Sequence, residues 1–444
     1  MPAARVSSIR APGYPSRMNM LTESRIAIAL VVALASLVAC KRDAPPAAAK
    51  PTTGDYAVQE WVLPAQAGSM APDLRVAPDG RVLISWLNRQ QGRRNILQFS
   101  SYTEAGGWQS LPRTIAVGQS LVANWADTPH LLATADGALW VQWLQANAAS
   151  PSAYDVALAR SRDGGMTWNQ ITRVNDDTTA SEHGFAALWP RSADAIGIAW
   201  LDGREQQVAH DTEQKNDAHH GGAMQLRANG FDMDLARGAD ALVDARVCDC
   251  CQTDAAPTDR GVLLAWRDRG DDQVRDIVVA RLQDDGAWTK PVPVHADGWK
   301  VEACPVNGPA IAAIGNAAVV AWYSEAGGTP TVRIARSTNA GNAFAAPVVV
   351  DSGASVRGQV DVAVDAQQAW VAWLREDAKG QALMLARYTP DLSKQLQLIE
   401  VARLGARGHA SGTPRLAVDA GGAWLAWTDA IDGVADLQGA RISR

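Results

Sequence analysis

LWVQW (Leu139–Trp143) follows the turn signal Ala135-Asp136-Gly137 and ends on an indole. A run so short, apolar at nearly every position, fits a strand covered on both faces better than a helix. The same run recurs. VLISW ends at Trp86, IGIAW at Trp200, VLLAW at Trp266, AVVAW at Trp322, WVAW at Trp373 and WLAW at Trp427, so that successive tryptophans stand 57, 57, 66, 56, 51 and 54 residues apart. One such tryptophan can be accidental, but seven in register define a repeat.

Working outward from each tryptophan gives the rest of the unit. An apolar stretch with a turn signal precedes it (LRVAPDG, LLATADG), and a third strand follows, often ending in Ala-Arg (VALARS, IVVARL, VRIARS, LMLARY, LQGARI). A fourth, such as PVPV or PVVV, closes most units. Four short strands per unit, with no long helical periodicity, predict an all-β chain, a β-propeller of four-stranded blades. Seven blades is the count, with six plus an irregular insertion as the alternative. The last unit ends at Arg444 after three strands, and YAVQEWVLP (Tyr56–Pro64) is expected to supply its fourth and close the ring.

SRDGGMTW (Ser161–Trp168) carries a second signature: Ser161, Asp163, Gly165, Thr167 and Trp168 match the Asp-box pattern S-x-D-x-G-x-T-W. STNAGNAF (Ser337–Phe344) is a degraded copy, and QDDGAW and TEAGGW are remnants. The chain thus resembles the sialidase, or BNR-repeat, propellers over essentially all of residues 55–444. The resemblance places the box on the hairpin between third and fourth strands, away from any active site. Loops on the other face, opening onto the central channel, are where a ligand is expected.

The N-terminus reads as a targeting segment. Arg17 and Arg25 precede the apolar run Ile26–Cys40, too short to span a membrane as an ordinary helix. Leu37-Val38-Ala39-Cys40 is similar to a bacterial lipobox, which makes residues 1–39 a signal peptide, Cys40 the lipidated residue and residues 40–54 a Pro/Ala-rich tether. The expected location is the cell envelope, with Lys41 pointing to the outer membrane, and the expected partners are the membrane and a glycan or small molecule. Four arginines and one glutamate fall within residues 1–39, leaving 37 basic and 46 acidic residues in the remainder. That balance gives no basic stripe for nucleic acid.

The remaining cysteines are concentrated in RVCDCCQTD (Arg246–Asp254), with Cys248, Cys250 and Cys251, joined by Cys304. Cys251 precedes Trp266 by 15 residues and Cys304 precedes Trp322 by 18, so both fall at the start of the innermost strand, in adjacent blades. The four are expected to converge at the channel mouth. Three chemistries stay open: two disulfides, a copper or zinc site with thiolates and imidazoles such as His219 and His220, or a reactive thiol lowered by a basic neighbour such as Arg246. All seven histidines are placed in loops of this face or at their edge.

A sialidase-type enzyme implies three arginines on a substrate carboxylate, an acid/base aspartate and a tyrosine activated by glutamate. The R-I-P tripeptide that carries the first arginine is absent, with Arg75 of DLRVAP the nearest substitute. The candidates are Arg204 and Arg267 for the carboxylate, Asp202 or Asp127 for acid/base work, and the pair Tyr323 and Glu325. Trp125 and Trp299 are candidate stacking surfaces. Three functions therefore remain: a lipid-anchored propeller that binds a glycan or another envelope ligand, a divergent sialidase-type glycoside hydrolase, or a metal- or redox-active envelope protein.

Overall fold

The computed structural model describes residues 55–90, 94–147, 153–206 and 222–444. The signal peptide, Cys40, the tether and His210, His219 and His220 lie outside the described residues. Those described form seven antiparallel sheets in chain order, one per tryptophan repeat. Blade 1 has inner strands Ser69–Val76, Val82–Arg89 and Asn95–Thr103, and blade 4 has Asp254–Thr258, Gly261–Arg267, Ile277–Leu282 and the short outer strand Val292–Pro293. In blade 7, Ala57–Glu60 pairs antiparallel with Val434–Ser443, opposing Val58 to Ile442. The N-terminal strand closes the ring as the sequence implies, and the count is seven.

The repeat tryptophans lie on the second strand of every blade. Trp86, Trp143, Trp200, Trp266, Trp322 and Trp373 are at most 1% exposed and Trp427 is 6% exposed. Burying an indole leaves its N–H in need of an acceptor, and in three consecutive blades that acceptor is an aspartate reached from the preceding blade. Trp266 donates to Asp244 (3.1 Å), Trp322 to Asp297 (2.6 Å) and Trp373 to Asp351 (2.8 Å).

Nearer the axis, side chains tie each blade to the next. Leu131 N donates to Asp73, Ile311 N to Asp254 and Leu416 N to Asp361. In blades 1, 3 and 6 the inner strand instead carries a bulge whose residue takes a left-handed conformation: Ala71 (φ 54°), Phe185 (φ 49°) and Gln359 (φ 52°). A bulge frees one backbone N–H from the ladder. Each is taken up by the blade before, Ala71 N by Thr428, Phe185 N by Asp127 and Gln359 N by Asn307. Thr253 completes the circuit by donating to Phe185 O at 2.7 Å. All seven interfaces therefore carry an axial hydrogen bond.

The turn at Ser161–Trp168 lies between the third strand of blade 2 and its outer strand. Asp163 accepts from Thr167 N (2.9 Å) and Thr167 Oγ1 (2.6 Å), while Gly165 N donates to Ser161 Oγ (2.8 Å). Trp168 packs edge-on against Phe99 of blade 1. The related turns repeat this relation to the preceding blade: Trp108 stacks on Trp61, which in turn meets Trp424, Trp288 meets Trp189, and Phe344 joins the blade 4–5 core.

Candidate functional site

The cysteines lie on the connection from the outer strand of blade 3 (Ala241–Asp244) to the inner strand of blade 4. Two backbone bonds pin this crossing, Val247 N to Met224 O and Cys248 N to Arg267 O. Cys248 and Cys251 are buried and Cys250 half-buried. Their three Sγ atoms lie within 4.8 Å of one another, with Cys248 and Cys251 3.2 Å apart. Cys304, exposed on the blade 4–5 connection, comes within hydrogen-bonding reach of Cys250. Of the four cysteines expected to converge, Cys248, Cys250 and Cys251 form one cluster, with Cys304 at its edge.

The surroundings of these thiols are cationic. Arg275 Nη1 approaches Cys248 Sγ at 3.3 Å, and Arg267 lies beneath. Hydrogen bonds from Cys250 and Cys251, reinforced by Arg267, hold the Cys248 thiol well below its usual range and Cys250 lowers Cys304, while donation to Cys248 pushes Cys250 up and burial pushes Cys251 up. Asp249 is already paired with Arg269 at 3.1 Å. Arg246 points elsewhere, to Asp271, so the basic neighbours are Arg267 and Arg275.

The arginines expected on a substrate carboxylate have other duties. Arg267 is 2% exposed and donates to the carbonyls of Asn307 (2.8 Å), Arg275 (2.6 Å) and Tyr323 (2.7 Å) while covering the Trp299 ring. Arg204 clasps Asp202 through two bonds of 2.7 Å and extends to Asp176 at 2.9 Å. Asp202 is fully buried and also accepts from Trp200. Arg75 faces the channel beside Asp254 at 3.8 Å.

Tyr323 Oη and Glu325 are 3.5 Å apart, a loose contact. A closer pair arises elsewhere: Tyr154 Oη donates to Glu182, with the Asp127 carboxyl against the same backbone at Gly184. Burial pushes Asp127 up to about 8, partly offset by the Phe185 N–H. No spacing rule joins Tyr154 to Glu182, because they come from a third strand and from the next interblade connection; their only sequence signal is that each sits at the edge of a repeat unit.

The histidines divide. His130 and His183 stand at the loop edge, as the first residues of the inner strands of blades 2 and 3, and are buried. His130 Nδ1 pairs with Asp73 (2.9 Å). His183 Nε2 lies 3.1 Å from Asp177 and 3.8 Å from Asp202. Burial would lower His183, yet the bond to Asp177 and the Asp202 charge raise it above the ordinary value. These three groups are close enough to share a cation, but the Arg204 guanidinium already neutralises Asp202. The two candidate stacking indoles are also engaged, Trp299 under Arg267 and Trp125 stacked on His409 at 4.3 Å.

No family model matches the sequence, and no curated protein matches it. Solved structures do. An ulvan lyase aligns with 87% of this chain and 96% of its own at 10% identity, TM-score 0.52. A protein of unknown function from Dyadobacter fermentans aligns over 87% and 99% at 12% identity, TM-score 0.49. A sialidase of Streptococcus pneumoniae aligns over 87% and 71% at 9% identity, TM-score 0.44. At 10% identity the likeness to the ulvan lyase concerns the fold alone.

Proposed function

We propose that this chain is a lipid-anchored propeller of the bacterial envelope that holds one soft metal ion, copper(I) or zinc, on the channel-mouth thiols. The observation that carries the reading is the packing of the Cys248, Cys250 and Cys251 Sγ atoms within 4.8 Å of one another. Three thiolates suit copper(I), and four, with Cys304, suit zinc. Charge balance supports it. Three thiolates on a monovalent ion, or four on a divalent one, leave two negative charges, matched by Arg267 and Arg275. A buried anionic centre needs such compensation.

The competing glycan reading of the same face has less support, since Arg204 and Arg267 are committed to protein acceptors. The test is metal and free-thiol content of the full chain purified anaerobically from envelopes. About one metal per chain is expected, lost in Cys248→Ser. Cys304→Ser separates the ions: a four-thiolate zinc site loses its metal, whereas a three-thiolate copper site keeps it. Finding neither metal nor free thiols would replace the metal with two disulfides and overturn the reading.

A further inference from the structure

On the face opposite the thiols, blades 3 and 4 fail to close against each other. The gap is a cavity of about 310 Å³, at the lower end of the range for small-ligand sites. Beneath it Gly197 and Gly230, cross-strand partners, are covered by the side chains of Trp189 and Arg191. Its walls are the indoles of Trp189 and Trp288, set at 88° to each other with centroids 6.1 Å apart. Trp288 is delivered by the hairpin QDDGAW, where Gly286 N donates to Gln283 O and Ala287 N to Asp285.

Two polar features remain unused. The Trp189 side chain is 1% exposed, lies directly over Gly197, and its Nε1–H has no acceptor among the described residues. Arg191 is exposed, lines the cavity and runs across Gly230, where any Cβ would collide with its Nη1. Among the described residues no carboxylate lies within ion-pair distance of its guanidinium. A cation left unpaired in the same cavity as the half-buried Trp288 indole is a recognition element for a ring bearing negative charge.

We infer that this interblade cavity binds a compact ring that carries one carboxylate: the ring lies against Trp288 and the carboxylate pairs with Arg191. The glycines let Trp189 and Arg191 lie flat on the sheet. An alanine at Gly230 would displace the guanidinium without straining the backbone, because Gly230 does not have a positive φ. The site is separate from the thiol centre, on different connections and the opposite face, and neither depends on the other.

The test is saturation-transfer NMR and titration of the full chain with glucuronate, benzoate and glucose. The two carboxylates are expected to compete for one site, with glucose roughly 10- to 100-fold weaker for want of a charge-assisted bond. Glucuronate preferred over benzoate identifies a saturated, sugar-like ring; the reverse identifies an aromatic one. Arg191→Ala and Gly230→Ala are expected to abolish the preference for the acids, and Trp288→Ala to weaken all three, at unchanged metal content. Equal binding of glucose and glucuronate, absence of binding, or binding untouched by these substitutions would overturn the inference.

Discussion

Asp127 combines two demands. Its carboxyl accepts the Phe185 N–H, freed by a left-handed backbone, and it does so where water is excluded. Burial pushes its pKa up to about 8 against an ordinary value of 3.8. The sign follows from linkage. The folded state keeps the proton while the unfolded state gives it up, so this contribution to stability is complete below about 4 and is lost as pH rises towards 8. Asp127→Asn keeps an acceptor and removes the titration. Its urea midpoint is expected to fall less than the parent's between pH 4 and 8, and parallel curves would show the carboxyl to be ionised. Asp361, pushed up to about 7, has the same sign, so the comparison must be with the variant. At this scale the sequence is a partial guide. Tryptophans at a fixed repeat position can only be core, and Cys251 and Cys304 can be placed by their distances from Trp266 and Trp322. Whether Arg267 meets a ligand or the Asn307 carbonyl depends on atoms 40 residues away, and no spacing reports that.

Among the elements, the turn at Ser161–Trp168 shows why two adjacent glycines are not equivalent. Gly164 (φ 69°) and Gly165 (φ 82°) are both left-handed. A Cβ at Gly164 would stand 3.6 Å from the flexible end of Arg113, whereas at Gly165 it would fall 2.2 Å from the Phe99 ring. Gly164→Ala is therefore expected to cost about 1 kcal/mol, the backbone term alone. Gly165→Ala adds a clash with a packed core and should cost ~2–4 kcal/mol. Urea unfolding with an unchanged slope would read both values directly. The motif was legible because its chemistry is local, with serine, aspartate and threonine bonding within eight residues. The remnant QDDGAW keeps the hairpin and the tryptophan, but the cavity its indole walls off depends on Gly197 and Gly230 of another blade. Two isolated glycines in strands carry no such message.

For the whole molecule, the seven repeat tryptophans and the incomplete last unit were enough to count blades and to find the strand that closes them. The bulges at Ala71, Phe185 and Gln359 were not visible, since none is a glycine and each is held by a residue more than 50 positions away. Those axial bonds have a consequence for the timing of local motion. Each blade both gives and receives a bond near the axis, and the circuit has no end at which fraying can begin. The amide protons of Leu131, Phe185, Ile311, Gln359 and Leu416 are therefore expected to exchange with solvent deuterium at one common, slow rate set by rupture of the entire hoop. The rim should behave otherwise. The two-residue outer strands Thr172–Arg173 and Val292–Pro293 hold few bonds, and their neighbourhoods should exchange orders of magnitude sooner. A hub that opens only all at once, inside a rim that breathes blade by blade, lets loops at the edge adapt to a ligand while the axis keeps its registration.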